Sequence, residues 1–177
     1  MTESQTLCNG RWLRLKRRGH WEYAERIHPG GAVMIIAVTD ADRLLFVEQL
    51  RPAIERRSIE MPAGLVGDDA SRADEGILET ARRELIEETG YHAATLRLLI
   101  DGPPSGGLSN EIMGFVLAGG LRRVGPGGGD DTESITVHEI PRTDVLGWLL
   151  ECHSKGLSID PKVFAGLYML EHAAAFA

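Results

Sequence analysis

The chain has 177 residues, which suffices for one domain or for one domain with a small appendage. Hydrophobic residues make up 43% of it and charged residues 25%, the ordinary proportions of a globular protein. The formal net charge of -7 leaves no basic surplus to neutralise phosphates, and this argues against a general nucleic-acid binder.

A β-hairpin is predicted at the start of the chain. Residues 11–18 alternate polar and apolar side chains, Gly19 supplies a turn, and residues 20–28 resume the alternation. Strands are then predicted at residues 32–38 and 44–49, and a short strand near 58–61 leads into a loop that reaches about Asp74. We assign residues 1–30 to a hairpin segment and residues 31–177 to the main domain.

One amphipathic helix is predicted from about residue 76 to residue 89, with Leu78, Ala81 and Leu85 on its apolar stripe. Strands follow at residues 95–100, 112–117 and 135–140. Two helices complete the chain, one from about residue 143 and one with Asp160 as N-cap and Pro161 in first position. This order predicts an α/β (α+β) fold in which a mixed β-sheet is sandwiched between helices.

Three glutamates crowd onto one face of the first helix. Glu84, Glu87 and Glu88 stand at i, i+3 and i+4, a spacing at which each like-charged pair weakens an isolated helix by roughly 0.2–0.5 kcal/mol. A hard divalent cation would reverse that sign, because it takes oxygen ligands. The alternative is a solvated acidic face. Arg83 lies four residues after Glu79 and four before Glu87, so it can bridge both.

The residues around this cluster resemble the signature of the Nudix hydrolase family. Glu75 is followed by seven residues and then by R-E-L-I-E-E-T-G-Y at 83–91, which is similar to E-x7-R-E-U-x-E-E-x-G-U, with U apolar, at every fixed position. The family pattern begins with a glycine six positions before the first glutamate, where this chain has Asp69. Gly64 is the better match, which implies about five extra residues before Glu75.

The resemblance implies a Nudix-type fold and a metal cofactor, Mg²⁺ with Mn²⁺ as a possibility. In the family, the residues that match Glu84, Glu87 and Glu88 bind the metal, joined by a main-chain carbonyl from the segment that matches Ala63. Helical geometry puts Glu84 and Glu88 about 40° apart at the edge of the apolar stripe. Glu87 lies beside Arg83 and could complete the cation shell or anchor it, so we assign both to catalysis.

Three further segments resemble the ADP-ribose pyrophosphatase branch of this family: E-M-P-A-G-L at 60–65, V-E-Q-L-R-P at 47–52 and G-L-S-N-E at 107–111. The likeness runs from about residue 10 to residue 169. It implies hydrolysis of ADP-ribose to AMP and ribose 5-phosphate. The alternatives are a broader nucleoside-diphosphate-sugar pyrophosphatase, a triphosphate-cleaning enzyme, which the branch segments disfavour, and a non-catalytic module that senses ADP-ribose.

The same resemblance implies the residues that meet the substrate. In that branch the N-terminal hairpin exchanges between two subunits, and its aromatic residues sandwich the adenine. Trp12 and Trp21 fall at the matching places, and the alternative for each is packing in the core or at a dimer interface. Arg51 is expected to face a phosphate or the terminal ribose, since its fork suits bidentate contacts. Glu60, in the E-x-P-A-G segment, is also assigned to substrate binding.

The branch usually carries one more acidic residue, in a mobile loop before a late strand, which positions the attacking water. The spacing favours Glu133, with Asp131 in reserve. The glycines at 127–129 would let this loop close over the substrate.

The expected partners are a small nucleotide substrate and a second copy of the chain, without nucleic acid or membrane. Two cysteines without metal-type spacing indicate reduced thiols. No apolar run approaches the roughly 20 residues that span a bilayer, and the first residues lack the order of a signal peptide. We therefore expect a cytoplasmic protein.

Overall fold

The computed structural model describes residues 3–27, 30–67, 70–129 and 134–176. Within these ranges the chain forms three β-sheets and three α-helices, so the predicted mixed α/β class is confirmed. The helices are α1 (Ile77–Thr89), α2 (Val145–Ser154) and α3 (Pro161–Glu171).

The first sheet is antiparallel and is built from β1 (Ser4–Asn9), β2 (Leu13–Arg18) and β3 (Trp21–Arg26). The strands β2 and β3 are the predicted hairpin, whereas β1 was not predicted because its sequence has no apolar alternation. The sheet joins the rest of the molecule through β3, where the Ala24 N–H donates to the Leu108 carbonyl at 2.8 Å and the Ala24 carbonyl accepts from the Asn110 N–H at 3.3 Å. The loop that contains Leu108 and Asn110, far from this sheet in sequence, therefore anchors the N-terminal sheet.

The remaining strands divide into two mixed sheets, where the sequence predicted one. The strands are β4 (Ala32–Ala37), β5 (Arg43–Arg51), β6 (Arg56–Glu60), β7 (Ala63–Leu65), β8 (Tyr91–Gly102), β9 (Met113–Arg123), β10 (Thr136–Pro141) and β11 (Ser158–Ile159). One sheet has the order β7-β4-β9-β8 with β4 and β9 parallel. The other has the order β10-β5-β6-β11 with β11 and β6 parallel.

Strand β4 separates two apolar cores, and every one of its side chains is buried. Met34 and Ile36 pack with Phe46, Leu149 and the helices α2 and α3. The alternate residues of β4 pack in a second core with α1. Because successive side chains on a strand point to opposite faces, one strand fixes α1 against one side of its sheet and the second sheet against the other.

Helix α1 contacts this second core through Ile77, Ala81 and Leu85, which follow one another at intervals of four residues. The prediction that Leu78 belongs to this stripe was wrong, since Leu78 is 39% exposed. Its position one residue after Ile77 turns it about 100° around the helix, away from β4. The helix ends at Gly90, as predicted, and the Gly90 N–H donates to the Ile86 carbonyl at 2.9 Å.

The C-terminal helices have the predicted order. The Asp160 carboxylate accepts a hydrogen bond from the Lys162 N–H at 2.9 Å, as expected for an N-cap followed by Pro161. Among the described residues, no helix combines the length and apolar character needed to cross a membrane.

Candidate active site

The short strand β7 and helix α1 meet at unusually close range. A Cβ atom at Gly64 would lie 2.0 Å from both Cδ and Oε1 of Glu84, so no residue with a side chain fits there without moving the carboxylate. At the preceding position, the Ala63 N–H donates to Oε2 of Glu88 at 3.0 Å. The backbone of β7 thus contacts two of the three clustered glutamates, and Gly64 is the glycine that this contact requires.

The three carboxylates differ in depth. Glu88 is buried, the Glu84 side chain is 13% exposed and the Glu87 side chain 42% exposed. This order follows from helical geometry, because positions 84 and 88 lie next to the face that packs under the sheet and position 87 is turned outward. The face therefore presents negative charge over a range of depths, from the base of the site to its rim.

Arg83 joins the glutamates to each other. Its Nη1 atom lies 2.8 Å from Oε1 of Glu84 and 3.0 Å from Oε2 of Glu87. Its Nε and Nη2 atoms each donate at 3.0 Å to the two carboxylate oxygens of Glu75. These bonds from Arg83 lower the pKa of Glu75, and they raise the pKa of the guanidinium, so both groups stay charged.

The predicted bridge from Arg83 to Glu79 was wrong. The Glu79 carboxylate instead accepts from the Gly76 N–H at 3.1 Å and closes the first turn of the helix. Glu75, outside the helix, takes its place at Arg83. Spacing along a helix could not reveal this, because Glu75 reaches Arg83 from the loop that precedes the helix.

A cavity of about 460 Å³ lies above the glutamates. Arginines from four different segments line it: Arg26, Arg51, Arg72 and Arg83. Acidic side chains at one wall and guanidinium groups around them create a site with both signs of charge. Such an arrangement suits an anion that binds together with a metal ion.

Arg51 is held in place by Glu60. Its Nε and Nη2 atoms donate to the two carboxylate oxygens of Glu60 at 2.8 and 2.5 Å, and the Glu60 carboxylate is buried under the guanidinium. Glu60 does not line the cavity, whereas Arg51 does. In this structure Glu60 acts on the cavity through Arg51, which it orients.

Several residues of the cavity wall were not assigned to the site from the sequence, among them Arg26, Arg72 and Glu111. Arg26 on β3 pairs with Glu111, which follows the loop that anchors the N-terminal sheet. Eighty-five positions separate the two residues, so no local pattern links them. The G-L-S-N-E segment at 107–111 was the sequence signal for Glu111. Behind this pair lies a second cavity of about 430 Å³, with Leu13, Ile77 and Ile112 among its apolar walls.

Trp12 lies immediately before β2 and Trp21 is the first residue of β3, and neither lines the glutamate cavity. Their exposures of 62% and 52% exclude packing in the core of this chain. Trp21 lines a shallow groove with Arg18 and Tyr23, and the guanidinium of Arg11 stacks on Trp12 with its Cζ atom 4.6 Å from the ring centroid. Stacking on adenine and packing at a dimer interface both stay predictions.

The acidic residues proposed to position water, Glu133 and Asp131, lie outside the described residues. Closure of this loop through the glycines at 127–129 stays a prediction. The Gly128 N–H donates to the Glu88 carbonyl at 2.8 Å, and the Gly129 N–H donates to the Glu87 carbonyl at 3.0 Å. The glycine run is therefore attached to the end of α1.

The donor set fits a hard divalent cation in its chemistry. Carboxylates of Glu84, Glu87 and Glu88 and the main chain at Ala63 lie around one wall, and oxygen ligands are those that Mg²⁺ and Mn²⁺ prefer. Across the described ranges, no three acidic, histidine or cysteine side chains converge into a closed metal cluster.

The sequence of the chain is similar to that of known proteins. The family model of the NUDIX domain matches residues 28–147. The chain is 35% identical over 127 residues to a methanol dehydrogenase activator from Bacillus methanolicus, covering 70% of this chain and 64% of the relative. It is 38% identical over 128 residues to an ADP-ribose pyrophosphatase from Mycobacterium tuberculosis, covering 69% and 60%. The matched part thus spans about three fifths of the length of these relatives.

A solved structure described as that of an ADP compounds hydrolase superimposes with a TM-score of 0.71, at 21% identity, over 96% of this chain and 90% of the other. At this identity the superposition shows the fold.

Proposed function

The chain belongs to the Nudix family, and on that premise we propose that it hydrolyses the pyrophosphate bond of ADP-ribose to give AMP and ribose 5-phosphate. The observation that carries the proposal is the cavity in which the face of Glu84, Glu87 and Glu88 meets four arginines. A pyrophosphate is an anion whose cleavage depends on positioning and on neutralisation of charge. The similarity to an ADP-ribose pyrophosphatase supports this choice of substrate.

The proposed cofactor is Mg²⁺, with Mn²⁺ as a substitute, held by Glu84, Glu88 and Glu87 and by the main-chain carbonyl of Ala63. When bound, such a metal polarises phosphorus, activates water and neutralises the departing phosphate. Arg83 holds the carboxylates of Glu84 and Glu87 next to each other, because it donates to both.

The cavity wall supplies the groups that would orient the substrate. Arg51 lines the cavity, and Glu60 binds its Nε and Nη2 atoms, so the guanidinium is held in position to contact a phosphate or the terminal ribose. Glu133 is proposed to position the attacking water, with Asp131 as the alternative. Because two cavities of about 460 and 430 Å³ adjoin at Arg26 and Glu111, the protein has room for a substrate with a bulky group on each side of the pyrophosphate.

We also propose a homodimer in which the segment 1–30 exchanges between subunits and Trp12 and Trp21 sandwich the adenine. The exposed tryptophans, together with Leu13 and Leu15 on β2, support a role for this sheet in contacts outside its own chain. A cytoplasmic location is proposed from the two unpaired cysteines, Cys8 and Cys152.

The test is a product assay with Mg²⁺ over ADP-ribose, other nucleotide sugars, NADH and diadenosine polyphosphates. We expect AMP and ribose 5-phosphate from ADP-ribose at the highest kcat/KM, and no products when the metal is chelated. Comparable rates on several nucleotide sugars would favour the broader pyrophosphatase. Binding of ADP-ribose without cleavage would contradict the enzyme and favour a sensor. Hydrolysis in ¹⁸O water then identifies the phosphorus that is attacked.

A further inference from the structure

The last turn of α1 is held by main-chain groups from a distant segment. The final carbonyls of a helix have no partner within the helix. Here the carbonyls of Glu87 and Glu88, two of the three clustered glutamates, accept hydrogen bonds from the N–H groups of Gly129 and Gly128 at 3.0 and 2.8 Å. We call Gly127–Gly129 the glycine clamp.

Gly127 packs against the helix more closely than any other residue type could. Its φ of +70° lies in the left-handed region. A Cβ at this position would lie 2.4 Å from the carbonyl carbon of Thr89 and 2.8 Å from the carbonyl oxygen of Glu88. These are backbone atoms, so no change of rotamer relieves the collision. A side chain at 127 must displace either the clamp or the end of the helix.

The clamp also links α1 to the second sheet. The Gly128 carbonyl accepts from the Ile135 N–H at 3.3 Å, immediately before β10, and β10 pairs with β5 from Thr136 opposite Glu48. Glu88 is therefore held twice: its carboxylate bonds the Ala63 N–H of β7, and its carbonyl bonds Gly128. The two attachments come from opposite ends of the residue, one from strand β7 and the other from the loop that follows β9.

We propose that the glycine clamp positions the metal-binding end of α1, and that Gly127 is its essential residue. This inference rests on the proposed function for the identity of the ion. The carboxylates of Glu87 and Glu88 move with the last turn, and the clamp fixes where that turn lies relative to β7. Groups that orient metal ligands affect metal affinity strongly, by about 10- to 100-fold when they are removed.

The test compares Gly127→Ala with Gly125→Ala. The control adds the same methyl group two residues earlier, where φ is not positive and no atom lies within 4 Å of the new Cβ. Mn²⁺ binding is measured by titration calorimetry without substrate, with circular dichroism as the check on folding. We expect the Kd to rise about 10- to 100-fold in Gly127→Ala and to stay within twofold of wild type in Gly125→Ala. A Kd within twofold in both variants overturns the proposal.

Activity adds a readout that general structural damage would not give. In Gly127→Ala, kcat at low Mg²⁺ should fall and should recover as Mg²⁺ is raised, since the defect lies in metal affinity. A loss of kcat that saturating Mg²⁺ leaves unchanged contradicts the proposal. If the wild type cleaves no nucleotide, the proposed function fails, whereas the Mn²⁺ titration still decides the role of the clamp.

A measurement on the wild-type protein covers the case in which Gly127→Ala does not fold. By linkage, a clamp that favours metal binding must itself be stabilised by the metal. Mg²⁺ should slow amide hydrogen exchange at Gly128 and Gly129 and leave the Lys162 amide, at the N-cap of α3, unchanged. Equal exchange at the two glycines with and without Mg²⁺ overturns the proposal.

Discussion

The glutamate cavity and the N-terminal sheet differ in how many of their side chains find partners within a single chain. Around the cavity, polar groups bond to one another: Arg83 to three carboxylates, Arg51 to Glu60, and Glu88 to the backbone of β7. The N-terminal sheet instead leaves Trp12 and Trp21 half exposed or more. This contrast indicates that one chain organises the glutamate cavity, whereas the proposed recognition of the base would depend on side chains that one chain leaves uncovered.

The largest expected effect comes from changing Glu88, the most deeply buried of the three clustered glutamates. Glu88→Gln removes the buried carboxylate charge and keeps a side-chain oxygen that can still accept from the Ala63 N–H. Loss of several kcal/mol of transition-state stabilisation by the metal corresponds to a decrease in kcat of about 10³-fold. Kinetics with Mg²⁺ and a melting curve measure this, and full activity in a folded variant would remove Glu88 from the metal site.

A smaller effect is expected from changing the two exposed tryptophans near the N-terminus. Trp12→Ala and Trp21→Ala should each raise the KM for ADP-ribose by about 5- to 150-fold, since stacking on a base contributes about 1–3 kcal/mol. Because both side chains are exposed in one chain, the fold itself should not depend on them. Steady-state kinetics are compared with the mass of the assembly from light scattering. An unchanged KM in both variants would contradict the stacking role.

The smallest expected effect concerns the contribution of the ion pair between Arg83 and Glu75 to stability, and how that contribution depends on pH. Glu75→Gln leaves Arg83 with a neutral partner and should lower the free energy of unfolding by about 1–2 kcal/mol at pH 7. The pKa of Glu75 is lowered in the folded protein, so its stabilising contribution is present above the unfolded-state pKa and is lost as pH falls through the folded-state pKa. The free energies of unfolding of wild type and variant, measured from denaturant curves, should therefore become equal in acid. A difference that stays constant with pH would contradict the assignment.

Sequence patterns predicted the parts of this fold that depend on local periodicity. Helix α1, its end at Gly90 and the N-cap at Asp160 all follow from residues within a few positions of one another. The strands β1 and β11 and the exposure of Leu78 depend on tertiary pairing, which a six-residue or two-residue segment does not encode in its own pattern.

The candidate site shows the same division. The spacing of Glu84, Glu87 and Glu88 placed them together, and the match of Gly64 to the family glycine agrees with its contact with Glu84. The ion pair of Arg26 with Glu111 and the hydrogen bonds of Gly128 and Gly129 join segments far apart in the chain. Such contacts follow from the packing of sheets and could not be predicted from spacing alone.

The contact at Gly64 couples the pairing of β7 with β4 to the formation of the glutamate site. Gly64 pairs with Val33 in the ladder between β7 and β4, and Val33 is buried. The carboxylate of Glu84 occupies the space that a Cβ at the same glycine would take. A chain in which β7 has not paired with β4 therefore lacks the wall against which Glu84 and Glu88 are held. The ability to bind a metal ion would then report directly on correct folding, so incompletely folded molecules would be unable to compete for the ion.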